Sequence, residues 1–193
     1  MYIKSVPEDE AGDKVKAMYE ADMQSDGYIH NYTRAFSLHP EVMDAWVTLS
    51  KAIRSTMPLR RYELATLAAA RAIRSSYCML AHGSVLMEKF FEPGTVAAMA
   101  NDFRTAGLEP TEVEVMAYAE KVALRANEVT EQDVQRLRDH GLTDSEIFDI
   151  AATAAARCFF SKTLDAVGVT ADEKFEELGP ELVQALAVGR QIR

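Results

Sequence analysis

The stretch from Leu59 to Leu86, LRRYELATLAAARAIRSSYCMLAHGSVL, constrains the fold more than any other part of the chain. It holds no proline and a single glycine, and its alanines and leucines are strong helix formers. It reads as two consecutive helices joined near Arg74-Ser75-Ser76, with Ser75 placed as the N-cap of the second. The alanine-rich Leu64–Ala72 face suits close helix packing, because small side chains let neighbouring helices approach. Cys78 and His82 stand four residues apart, so a helix carries them on one face. With Ser75 as cap, Cys78 lies in the first turn, where unpaired N–H groups and the helix dipole favour a thiolate over a thiol.

The rest of the chain repeats the helical theme. Ser5-Val6-Pro7 followed by acids marks a first helix with Val15, Met18 and Tyr19 on its apolar side. Ser25-Asp26-Gly27 is a turn, and Tyr28 to Leu38 a short helix or irregular segment. His39-Pro40 opens a helix whose Val42, Ala45, Trp46, Leu49 and Ile53 form a stripe, ended by Met57-Pro58. Beyond the central pair, Glu92-Pro93-Gly94 is a break. Helices follow over Thr95 to Thr105, from Pro110 through Val122, and from Thr130 to His140. Thr143 or Asp144 caps a long helix through Cys158, Gly168 ends it, and a charged helix near Asp172–Leu178 precedes a last segment from Glu181 to Val188. No strand pattern is present, so the sequence predicts an all-α fold.

A faint internal repeat accompanies this. The segment beginning at Leu59 can be laid on LTDSEIFDIAATAAARCFFSKTLD beginning at Leu142, which sets Glu63 on Glu146, Ser75 on Cys158, Cys78 on Ser161 and His82 on Asp165. Two similar helical hairpins packed together would account for it. Chance agreement between alanine-rich helices is the alternative.

Length and charge narrow the function. At 193 residues the chain suits one domain, drawn here over residues 1–193 with a helical lead-in at 1–57, a core motif at 59–90 and C-terminal helices at 111–193. A net charge of −9 argues against nucleic acid or an anionic membrane as partner. Two cysteines make no disulfide framework and point to a reducing, cytoplasmic setting. The N-terminus lacks the apolar core of a signal peptide, and the most apolar run, Ile147 to Phe160, contains Asp149 and Arg157. One cysteine and one histidine supply too few ligands for a metal, so neither metal nor cofactor is expected. Glu63, on a helix with buried-looking neighbours, is placed to exchange protons with a histidine; a surface ion pair with Arg60 or Arg71 is the plainer reading. Cys158 reads as a core residue.

Glu63, Ser75, Cys78 and His82 together resemble the signature of the carboxymuconolactone decarboxylase-like superfamily, in its alkyl hydroperoxidase D (AhpD) branch of peroxidase-related proteins. That signature is a glutamate, eleven residues, then Cys-x-x-Cys-x-x-x-His. Asn31 to Trp46 is similar to the family's lead-in helices and Ala155 to Val169 to its closing helix, so the resemblance spans roughly residues 28–170. It implies an AhpD-like helical bundle and a thiol peroxidase acting on hydroperoxides. Cys78 would be the peroxidatic nucleophile, His82 and Glu63 the proton relay, and Tyr77 a neighbour of that relay. The departure is Ser75, which stands where the family has its resolving cysteine. An intramotif disulfide is therefore impossible, and an external thiol or reductant protein would have to restore the sulfur. The resemblance also implies a homo-oligomer, trimer or hexamer. Two other readings stay open: an acid–base enzyme like the superfamily's decarboxylase branch, working through His82 and Glu63, and a redox-inactive helical assembly module.

Overall fold

A computed structural model describes residues 1–190, and among these there is no strand. Ten α-helices follow in order: α1 (Asp13–Asp26), α2 (Asn31–Phe36), α3 (Pro40–Arg54), α4 (Leu59–Ala72), α5 (Ser76–Lys89), α6 (Pro93–Asp102), α7 (Pro110–Arg125), α8 (Glu131–Asp139), α9 (Asp144–Ala166) and α10 (Pro180–Leu186). The fold is all-α, as the sequence predicts. The expected C-terminal helices were drawn to residue 193; residues 191–193 lie outside the described residues.

Helix α4 is the centre. It packs against α5, α7 and α9, and its Ala65, Leu67, Ala68, Ala69 and Ala70 have no exposed surface. Alanine on three sides lets three helices close on one axis, and each wholly buried leucine adds about 2 kcal/mol. The helix is basic at its edges, where Arg60 pairs with Glu112, Arg61 with Glu146 and Arg71 with Glu120. These pairs tie α4 to α7 and α9. They also dispose of the ion pair considered for Glu63, since both of its arginine candidates are engaged elsewhere.

Local chemistry sets the ends. Capping boxes open α7 (Glu109 with Glu112), α8 (Thr130 with Asp133) and α9 (Thr143 with Glu146), each satisfying two backbone N–H groups. Three boundaries differ from expectation. The first α-helix starts at Asp13 behind Gly12, because the acids after Pro7 form only a 3₁₀ turn, Glu8–Glu10. The charged segment near the C-terminus is likewise a 3₁₀ helix, Glu173–Leu178. The second copy of the repeat is no hairpin but the single 23-residue helix α9. The cause is local: Arg74 adopts a left-handed φ of 59° and breaks the first copy, whereas Ala155-Ala156-Arg157-Cys158 offers neither breaker nor cap.

Candidate functional site

The link between α4 and α5 builds the site. A left-handed non-glycine residue costs about 1 kcal/mol, and Arg74 is held there by its Nε donating to the Val188 carbonyl at 3.0 Å. The Ser75 N–H returns to the Ala70 carbonyl at 2.9 Å, so α4 ends and α5 begins within one turn. Ser75 is the N-cap by backbone position, but its wholly buried hydroxyl makes no capping bond. It lies on the side of Asp165, whose carboxyl burial pushes up against the opposing pull of Ser75 and Arg190. Ser76 takes over the tail of the chain: its Oγ accepts from the Gly189 N–H at 2.9 Å.

Cys78 is three residues into α5, and 1% of it is exposed. Its sulfur contacts α9. The Ser161 hydroxyl donates to it at 3.0 Å, and the Arg157 guanidinium reaches it at 3.7 Å. Cys78 and Ser161 are the two positions that the internal repeat superposes, and they meet where the two copies cross.

Arg157 is the residue that sequence reading passed over. It is 4% exposed, sits at 5.4 Å over the rings of both Trp46 and Phe160, and donates to the Tyr62 hydroxyl at 3.4 Å. Its Nε has no partner, and no carboxylate among the described residues neutralises it. The signal was a lone arginine inside the most apolar run of the chain. A charge placed there is costly unless something compensates it.

Glu63 is buried, and its Oε2 accepts from His82 Nδ1 at 2.6 Å. A carboxylate only accepts, so this bond puts the ring proton on Nδ1 and leaves Nε2 as the proton acceptor. Burial and the Arg157 charge lower the His82 pKa below its ordinary value and outweigh the upward pull of Glu63. His82 is therefore a neutral base at physiological pH. The pair is closed without the sulfur, whose bonds run to Ser161 and Arg157.

Glu63, Cys78, His82, Tyr77 and Arg157 all line one cavity of about 320 Å³, whose walls include Tyr32, Trp46, Tyr62 and Phe160. Tyr77 belongs to the wall, but its hydroxyl donates to buried Asp172, 95 residues on. Asp172 also accepts from the Asn31 N–H at 2.7 Å. Burial and the Asp172 charge hold the Tyr77 phenol far above its ordinary pKa, so it stays neutral and occupied. Cys158 is one position round α9 from Arg157 and turned toward α7, with its sulfur 3.8 Å from the Ala123 carbonyl. Burial raises its thiol pKa. Both cysteines are free. Among the described residues no cluster of His, Cys, Asp and Glu could hold a metal ion, and no helix is long and apolar enough to cross a membrane.

No protein-family model and no curated protein matches the sequence. Solved structures do match. One is an alkylhydroperoxidase AhpD core, an uncharacterized peroxidase-related protein from Ralstonia eutropha JMP134: 24% identity, 88% of this chain and 92% of that one, TM-score 0.80. The chain has the AhpD fold. A peroxidase-related protein from Silicibacter sp. TM1040 matches over 88% of this chain and 91% of its own at 20% identity, with a TM-score of 0.78. A cysteine-to-alanine variant of the debrominase Bmp8, in complex with 2,3,4-tribromopyrrole, matches over 92% and 95% at 15% identity, with a TM-score of 0.74. At these identities the shared property is the AhpD fold. The chemistry must be argued from the site.

Proposed function

We propose that the protein is an AhpD-like thiol peroxidase that reduces hydroperoxides through Cys78. The observation that carries the reading is a cysteine in the first turn of α5, donated to by Ser161 and Arg157, sharing its cavity with a neutral His82 held by Glu63. Ser161 and Arg157 stabilise the sulfur anion, and His82 Nε2 takes the thiol proton. The thiolate attacks one peroxide oxygen and the O–O bond breaks. Sulfur is oxidised to a sulfenic acid, Cys–SOH, and the other oxygen leaves as an alcohol after receiving the proton from His82. With Ser75 in place of a resolving cysteine, an external thiol condenses with the sulfenic acid, releasing water. A second thiol then restores Cys78 and leaves as the disulfide.

The reading includes a reducing cytoplasmic setting and a homo-oligomer, trimer or hexamer, whose contacts would cover exposed Phe148 and Phe159 on α9 and Leu49 on α3. The test is turnover of cumene hydroperoxide with dithiothreitol, together with trapping of the sulfenic acid by dimedone at Cys78. Turnover and labelling are expected to vanish in Cys78→Ser, and a variant that keeps full turnover refutes the mechanism.

A second reading follows from the closed Glu63–His82 pair, which is complete without sulfur. It is acid–base chemistry on a carboxylated lactone, as in the superfamily's decarboxylase branch. Lactone turnover that survives Cys78→Ala and is lost in His82→Ala would select it.

A further inference from the structure

We propose that the cavity takes an organic hydroperoxide bearing a carboxylate, with the peroxide at Cys78 and the acid group held by Lys51 and Arg54 at the mouth. This rests on the thiol peroxidase reading and names its substrate class.

The argument begins with charge. In a chain of net charge −9, this cavity is lined by three cations, Lys51, Arg54 and Arg157, against one carboxylate, Glu63. None of the three cations forms an ion pair among the described residues; the arginines at the edge of α4 all do. The Glu63 carboxylate, hydrogen-bonded to His82, stands against one of these positive charges. Moving the Cys78 proton to His82 leaves this count unchanged. Two positive charges remain over, and an anionic ligand would offset one of them.

Position then separates head from tail. Cys78, Glu63 and Arg157 are buried at the closed end, whereas Lys51 and Arg54 are exposed at the end of α3. Arg54 is braced at 5.3 Å over the Tyr62 ring, and its charge reaches His82 strongly enough to help lower that pKa. The remaining lining is largely apolar, with Tyr32, Met43, Trp46 and Val47. The volume of about 320 Å³ lies at the small end for ligand sites. An apolar body carrying both a reactive group and an acid matches a cavity with a buried sulfur, an apolar wall and two exposed cations. Hydrogen peroxide would use only the closed end.

Binding can be read without chemistry in Cys78→Ser protein, with 4-isopropylbenzoate and its neutral isostere 4-isopropylbenzamide as probes. Calorimetry gives the affinity, and quenching of Trp46, the only tryptophan and part of the cavity wall, reports the place. The acid is expected to bind at least tenfold more tightly than the amide at low salt. That advantage should shrink several-fold in 0.5 M salt, since exposed charges are screened, and fall below threefold in Lys51→Gln/Arg54→Gln. Equal binding of acid and amide, an advantage that survives the double substitution, or no binding of either at millimolar concentration overturns the proposal. Peroxide oxidation of Cys78 in the unsubstituted protein separates the two failures. If Cys78 oxidises while the probes behave alike, only the substrate class is wrong. If Cys78 is inert to peroxide, the redox reading itself fails.

Discussion

Ser161→Ala is the sharpest probe of how the sulfur is held. The Ser161 hydroxyl is fully buried on α9 and donates to Cys78 at 3.0 Å. A hydrogen bond to a charged group contributes about 1.5–3 kcal/mol, and one between neutral partners about 0.5–1.5 kcal/mol. Removing the hydroxyl therefore costs the thiolate about 1–1.5 kcal/mol more than the thiol. Each 1.4 kcal/mol is tenfold in an equilibrium, so the thiolate-to-thiol ratio should fall about tenfold. The assay is the second-order rate of Cys78 alkylation by iodoacetamide in a Cys158→Ser background, followed by mass from pH 6 to 10. The variant should be about tenfold slower wherever the thiol form predominates, and the two curves should converge at the alkaline end. Stability should change by only about 1 kcal/mol, because one small hydroxyl is removed. A rate within twofold of the parent across the whole range would refute the argument. So would a uniform tenfold loss at all pH values, which would indicate altered access rather than altered ionisation.

Two further outcomes follow. His82 should titrate below the ordinary histidine value by long-range ¹H–¹⁵N NMR, and lower still in Glu63→Gln, which removes the charge that draws the pKa up. Because the folded-state pKa is depressed, the stability linked to His82 is fully present above the unfolded value of about 6.5 and is lost as pH falls through the folded pKa; a rise in Glu63→Gln would contradict the pairing. Gly189→Ala would set a Cβ 1.8 Å from the Arg74 carbonyl oxygen, so the tail must leave the start of α5 and Ser76 loses its partner. Urea unfolding should show a loss of about 1–3 kcal/mol, and faster amide exchange over 187–190 should accompany it; unchanged stability would mean the contact is not held in solution.

Much of the architecture was legible because it rests on local signals. Periodicity, Pro40 and Pro110 at helix starts, and a cap at Thr143 or Asp144 each act within a few residues; Pro93 reads as a break and instead opens α6. The Glu63, Cys78 and His82 spacing was legible for the same reason. The internal repeat was read by laying two alanine-rich segments residue on residue, and such matching does not register a broken helix: the left-handed turn at Arg74 splits one copy, and α9 runs unbroken through the other.

The sequence by itself determined that the chain is helical, where most helices start, and that Glu63 and His82 stand on consecutive helices around a cysteine. Only the tertiary structure decided what the sulfur touches. Ser161 lies 83 residues from Cys78, and Arg157 lies 79 residues away. Tyr77, named as a neighbour of the relay, is drawn to Asp172 because a buried carboxylate must find donors and Tyr77 is in reach. Arg157 is accommodated in the apolar run because the rings of Trp46 and Phe160 flank its guanidinium and Cys78 and Tyr62 accept from it. Partners so distant in sequence leave no periodic trace. They are chosen by which faces the packing around α4 brings together, and by the cost of burying a charge that nothing compensates.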